Sequence, residues 1–409
     1  MTVHTHSMEE LVAQIKEKII GWRRHLHAHP ELSFCEYQTS AFIVDVLQKI
    51  PGVHIDTSVG TETAVVATLS NGEGPTVALR ADMDALPIVE KNECDYRSLN
   101  DEVMHACGHD GHTSILLGVV HVLAECFARG EITGTVKFLF QPAEEATDEK
   151  GLTGAPYMIQ AGVLDGVDCV MALHLNPENP VGEVLVHDGY SMSNVDVFEA
   201  VISGEGGHGA YPHLTKDPIW LLGPVLQSLH GIVARRVSAL DPAVVSIGKI
   251  EAGSASNIIP TEVRLEGTMR SYRPEVRSLL EKELKRAFSI VEPLGGSFTL
   301  KVTHGEPALY NHPEVNNDLR ETIQDVFDNM TIIDSSFGLG GEDFSHMTKV
   351  VPGAMIFLGC ALSDGVKRDL HTPIFDIDEE CLPIGTMILA ETAFRYLSGQ
   401  YKLPGEGKE

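Results

Sequence analysis

Nine consecutive residues, Met104-His105-Ala106-Cys107-Gly108-His109-Asp110-Gly111-His112, hold a thiol, three imidazoles and a carboxylate. Thiolate, imidazole and carboxylate are the side chains that ligate divalent cations. The two glycines free the backbone to turn sharply. Cys107 and His109 are two residues apart and can serve one metal centre if the loop curls. Taken alone they also read as a buried thiol with scattered surface imidazoles. An apolar, helix-like run follows (Ile115, Leu116, Leu117, Val119, Val120, Val122, Leu123), so the cluster sits on a loop entering a helix.

Further groups stand at the ends of strand-like runs. Thr76–Leu79 leads into Arg80-Ala81-Asp82-Met83-Asp84. On extended backbone Asp82 and Asp84 point the same way, which suits a ligand, a support behind a ligand, or a turn cap. The buried-strand pattern Gly134–Gln141 ends in Pro142-Ala143-Glu144-Glu145. Adjacent carboxylates on extended backbone face opposite ways, so one can hold a metal while the other faces the substrate. The apolar run Asp168–Leu175 carries His174 at its C-terminal end, and His371 lies in the loop Leu370–Pro373. His25, His27 and His29 fall on a helix predicted over 8–29, where their spacing scatters them around the surface. The candidate ligands are therefore Cys107, His109, Glu145, His174 and His371, with Glu144 left over as a base. Two divalent ions sharing a bridging ligand, plus one spare carboxylate, is the equipment of a hydrolase. The metals lower the pKa of bound water and polarise a carbonyl, and the carboxylate moves the water's proton to the leaving amine.

In open α/β sheets, sites form beyond the carboxyl ends of the strands. The positions of these groups thus predict an α/β fold, a mixed and mainly parallel sheet flanked by helices. The stretch 189–306 changes character. It reads as strand Val195–Ser203, helix Pro218–Arg235, strands Ala243–Glu251 and Thr261–Met269, helix Pro274–Glu292 and strand Ser297–Thr303. That βαββαβ order is ferredoxin-like and marks an insertion into a catalytic domain formed by 1–188 and 307–409. Within it, the glycine-rich loop Gly204–His213 holds His208, which also reads as a solvated loop imidazole. A terminal helix over 379–398 precedes a tail, Lys402–Glu409, expected to fray.

The 409 residues exceed what one core usually serves, so two domains are expected. A net charge of −28 argues against a nucleic-acid partner, since phosphate binding needs basic patches. Seven scattered cysteines, an odd number, do not resemble a disulfide framework and imply reduced thiols. The first ten residues lack the basic start and apolar core of a signal peptide. No run of about eighteen apolar residues appears, so no membrane span and a cytoplasmic setting are expected.

The segments Arg80–Pro87, His105–His112, Gln141–Glu145, Gly207–Pro212, Gly341–Phe344 and His371–Pro373 resemble those of the amidohydrolase branch of the aminoacylase/carboxypeptidase metallopeptidase superfamily. That branch includes hippurate hydrolase, N-acyl-amino-acid deacylases and auxin-conjugate hydrolases. The resemblance implies Cys107 as bridging thiolate, His109 and His174 on one metal, and Glu145 and His371 on the other. It implies Glu144 as general base, Asp84 behind a ligand, and His208 stabilising the tetrahedral oxyanion. Asn257 and Arg270 lie where relatives bind the substrate's carboxylate. Two divalent ions per subunit are implied, zinc or manganese, with cobalt or nickel possible, and a homodimer through the inserted lid, or a higher oligomer. The implied substrate is a small N-acyl-L-amino acid. A dipeptidase or aminopeptidase of the same superfamily, a cysteine hydrolase using Cys107 with His109, and a non-enzymatic conjugate-binding protein are the competing readings.

Overall fold

One mixed sheet of eight strands, three to twelve residues long, is seen in the computed structural model, which describes residues 3–405. Across the sheet the strands are His54–Thr57, Val65–Ser70, Thr135–Gln141, Thr76–Asp82, Cys169–Pro180, Gly353–Ala361, Glu183–Leu185 and Thr331–Ile333. The central four, from Thr135–Gln141 to Gly353–Ala361, run parallel, with Asp82 opposite Gln141 and His174 opposite Phe357. Their residues are mostly buried, as parallel strands covered by helices require. This register sends the chemistry-bearing chain ends out along one edge.

Helices Val3–Ala28, His109–Ala128 and Cys381–Leu397 pack on one another, and all three add residues to the core beneath the sheet. His109–Ala128 is the one described helix long and apolar enough to cross a membrane, and 78% of that window is buried within the protein. The first helix corrects one expectation. His27 is not on the surface but buried, with Nδ1 2.8 Å from Asp110 Oδ2 and Nε2 3.1 Å from Glu90 Oε1. It shares a helix face, four residues on, with the buried Arg23, which donates to Asp110 at 2.9 Å. Carboxylates set inside the protein draw both side chains inward, because a buried charge needs a partner. His25 stacks on Phe42 and His29 instead.

The described residues divide into two compact units. The larger runs to Gly189 and includes Tyr310–Phe337 and the chain from Asp343. The smaller comprises Tyr190–Leu309 with Gly338–Glu342. Its antiparallel sheet has the order Ala243–Ala252, Glu262–Ser271, Asn194–Ser203, Ser297–His304. Helices Pro218–Arg236 and Pro274–Ser289 bury Leu221, Val225, Leu280 and Leu284 in a separate core against it. Each helix starts on a proline whose fixed φ suits the first turn, and Asp217 caps the first by accepting from Ile219 N–H.

All seven cysteines are free. The tail is held further than expected. Tyr401 packs on the core, and Gly405 N–H donates to Glu314 Oε2 at 2.8 Å. Residues 406–409 lie outside the described chain.

Candidate metal centre

Three backbone features set the site. Gly108 takes φ 91° and caps the helix that begins at His109, which turns Cys107 and His109 toward the strand ends. Ala143 and His371 adopt left-handed φ of 53° and 60° without being glycine. The His371 N–H donates to Ala106 O at 2.7 Å, tying the His371 loop to the cysteine loop.

These turns bring the candidate ligands together. Cys107 Sγ lies 3.5 Å from His174 Nε2 and 3.4 Å from His371 Nε2. Glu145 Oε1 is 3.2 Å from His371 Nε2 and 3.8 Å from His109 Nε2. Cys107, His109 and His174 form one cluster of donor atoms within 4.8 Å of one another. Cys107, Glu145 and His371 form a second, so the thiol belongs to both. Glu144 and Glu145 form a third with His109. The expected opposite orientation of the two glutamates is therefore corrected. It holds only on extended backbone, and the left-handed Ala143 bends the chain so that both carboxylates reach one centre.

Hydrogen bonds from behind orient the imidazoles. His109 Nδ1 faces Asp84 O at 2.9 Å and Asp84 Oδ1 at 3.2 Å, while His174 Nδ1 faces Leu175 O at 2.7 Å. An oxygen acceptor beside Nδ1 fixes the proton there and leaves Nε2 as the lone-pair donor. His109 Nε2 and Glu145 Oε1 are buried and make no hydrogen bond among the described residues. Unmet buried groups of this kind call for a ligand.

The electrostatics agree. Burial, then the charges of Glu145, Glu144 and Asp82, push the Cys107 thiol well above its usual range. Burial works against charge on His109, yet the Asp82 carboxylate and the Asp84 hydrogen bond lift it to about 10. Burial and the neighbouring His112 push His174 well below the usual histidine range. Asp82, Asp84, Glu144 and Glu145 beside the Cys107 thiol make a site whose missing charge is positive. The donor set of sulfur, imidazole and carboxylate fits divalent metal ions.

Several supporting residues had no role in the sequence reading. His112 joins Asp82 Oδ1, at 2.6 Å from its Nδ1, to the Leu175 N–H, at 2.8 Å from its Nε2. Its spacing of three residues from His109 on one helix was the available signal. Arg80, fully buried, donates to Asp82 and Asp343 at 2.7 Å each. Asp343 also accepts from Gln141 at 2.8 Å.

His208, Asn257 and Arg270 belong to the smaller unit. The two-residue strand Gly207–His208 pairs with Ile258–Ile259, and Gly209 N–H donates to Asn257 O at 2.8 Å. His208 and Asn257 thus sit on adjoining exposed segments, with His208 Nδ1 accepting from Ala210 N–H at 3.0 Å. Arg270 lies half-buried on the strand Glu262–Ser271. Burial lowers its pKa and Asp196 opposes that shift.

Residues 78–395 match the family model described as peptidase family M20/M25/M40. The chain is 37% identical over 390 residues to thermostable carboxypeptidase 2 of Saccharolobus solfataricus, covering 94% of this chain and 97% of that one. It is 42% identical over 309 residues to an N-acyl-L-amino acid amidohydrolase of Geobacillus stearothermophilus, covering 75% and 81%. In structure it is similar to a dinuclear-metal-binding M20 peptidase of Bacillus subtilis. The TM-score is 0.81 at 33% identity, over 94% of this chain and 99% of the other.

Proposed function

The chain belongs to the peptidase M20/M25/M40 family and is a metal-dependent hydrolase of amide bonds, and we propose that its substrates are N-acyl-L-amino acids. The observation that carries this reading is the thiol of Cys107 shared between two donor clusters, with Glu144 beside them. Cys107, His109 and His174 would hold one divalent cation, and Cys107, Glu145 and His371 the other, as zinc or manganese, with cobalt or nickel accepted in their place. Such a pair supplies Lewis acidity to water and to the amide carbonyl. Asp84 keeps the His109 lone pair aimed inward. Glu144 accepts the proton of the attacking water and hands it to the leaving nitrogen, so that a carboxylate and a free amino acid depart. His208 stabilises the oxyanion, and Asn257 with Arg270 captures the substrate's carboxylate, a task suited to a guanidinium. The smaller unit serves as lid and as the contact in a homodimer. Seven free thiols support a reducing, cytoplasmic setting.

The carboxypeptidase among the relatives favours a second reading, in which the acyl group is itself a peptide. Both readings need the free carboxylate. Amino-acid release from acetyl, benzoyl and indole-acetyl conjugates, dipeptides and carboxamide analogues separates them. We expect the conjugates to be cleaved and the carboxamides to be poor substrates. Cleavage of dipeptides alone would overturn the N-acyl reading, and equal cleavage of carboxamides would remove Arg270 from recognition.

Cys107, as a bridging thiolate, should resist alkylation in the holoenzyme and react once metal is stripped. Labelling of Cys107 followed by peptide mass spectrometry checks this. Equal rates with and without chelator would exclude the bridging role.

A further inference from the structure

A single carboxylate oxygen holds two of the four described non-glycine residues that adopt left-handed backbone. Those four are Phe34, Ser58, Ala143 and His371. Glu36 Oε1 accepts the Phe34 N–H at 3.0 Å and the Ala143 N–H at 2.8 Å. Its other oxygen accepts from Thr63 Oγ1 at 2.8 Å, and the side chain is fully buried. A left-handed non-glycine residue is strained and persists only where its surroundings impose it.

Ala143 is the residue that turns Glu144 and Glu145 toward the metal cluster, and its backbone is clamped from both sides. Its carbonyl accepts the Gly154 N–H at 2.8 Å, at a place where a Cβ on residue 154 would meet Pro142 O at 1.8 Å. The same brace reaches the neighbouring turn. Ser33 Oγ donates to Asp84 Oδ2 at 2.6 Å, and that oxygen also accepts the Glu145 N–H at 3.0 Å. The segment from Ser33 to Glu36 therefore touches both carboxylate-bearing turns from behind without contributing a ligand.

We propose that Glu36 is a positioning residue: its carboxylate fixes the left-handed Ala143 and thereby aims Glu144 and Glu145. This rests on the roles proposed above for those two glutamates. What the arrangement requires of Glu36 is an acceptor at Oε1, at full side-chain reach, and not a negative charge. Burial and the nearby Asp84 push its carboxyl up to about 7, which brings it close to the neutral form. A glutamine can keep its oxygen on both N–H groups and donate its amide to Thr63, whose hydroxyl accepts as readily as it donates. An aspartate keeps the charge but falls one methylene short.

The test compares Glu36→Gln with Glu36→Asp in the full-length enzyme by kcat, KM and titration with Co²⁺ alone. The cobalt–thiolate absorption band reports on the site without any substrate. Positioning predicts that Glu36→Gln stays within about threefold of wild-type kcat. Glu36→Asp should lose about 10–100-fold in kcat, with a smaller change in KM, as misplacement by an ångström does. It should also bind Co²⁺ more weakly, because Glu145 shifts with the turn. Glu36→Asp matching the wild type, or Glu36→Gln doing worse than Glu36→Asp, would overturn the proposal. Absence of the cobalt–thiolate band in the wild type would instead overturn the dinuclear reading, and the proposal with it.

Discussion

Glu144→Gln should lower kcat by about 10²–10⁴-fold, the share that a general acid–base group commonly contributes, while both cations stay bound. Glutamine matches glutamate in shape but cannot take up the proton of water. The neighbouring carboxylates have other partners: Glu145 lies in the cluster with Cys107 and His371, Asp84 faces His109, Ser33 and the Glu145 N–H, and Asp343, which clusters with Glu144 and Glu342, accepts from Arg80 and Gln141. Metal content by elemental analysis should match the wild type, since the donor atoms of both proposed cation sites remain. Turnover near normal at full occupancy would sink the assignment. The same variant tests His208. If His208 reaches a partner's site in a dimer, mixing Glu144→Gln with His208→Ala should restore activity, because one site in each heterodimer keeps both groups. No recovery after demonstrated subunit exchange would place His208 in its own subunit's site or outside the reaction.

The strand that ends at Asp82 and the loop-to-helix step at Gly108 were legible because an apolar run adjoins each, whereas the strand expected to end just past His174 continues to Pro180 and carries that imidazole within it. The βαββαβ order of the smaller unit was legible for the same reason. The short elements were not. The strands His54–Thr57, Glu183–Leu185 and Thr331–Ile333 span three or four residues and hold too few side chains to show a period. Within the site, the candidate donor residues could be read from the sequence but the backbone that brings them together could not. Ala143 and His371 are left-handed because distant groups, Glu36 and the Ala106 carbonyl, hold their N–H groups. No local signal announces that. His27 was misjudged for a related reason: spacing along a helix says which residues share a face, not what the face meets.

What that helix face meets carries the second large effect. Arg23 is buried and donates to Asp110, Asp376 and Glu379 at 2.9, 2.9 and 3.3 Å. It joins the first helix to the residue after His109 and to the start of the last helix. Arg23→Met should fill similar space yet leave the buried Asp110 without its guanidinium, a loss of about 3–5 kcal/mol. The pH dependence follows from Asp110. Burial raises its pKa, but the Arg23 charge and the His27 hydrogen bond outweigh that and hold it well below the usual carboxylate range. A carboxylate depressed in the folded state contributes stability above its unfolded pKa of about 3.9, lost as pH falls through the folded value. The gap between wild type and Arg23→Met should therefore be widest near neutrality and shrink below about pH 4. His27 acts in the same direction. The Arg23 charge is one of the influences that lower its pKa, so its removal lets the imidazole hold a proton more tightly and stand in for the lost cation as pH falls. Urea midpoints of the holoenzyme at a series of pH values measure the gap. An unchanged midpoint at pH 7, or a gap that widens on acidification, would show that the Arg23 cluster does not hold the helix against the His109 loop.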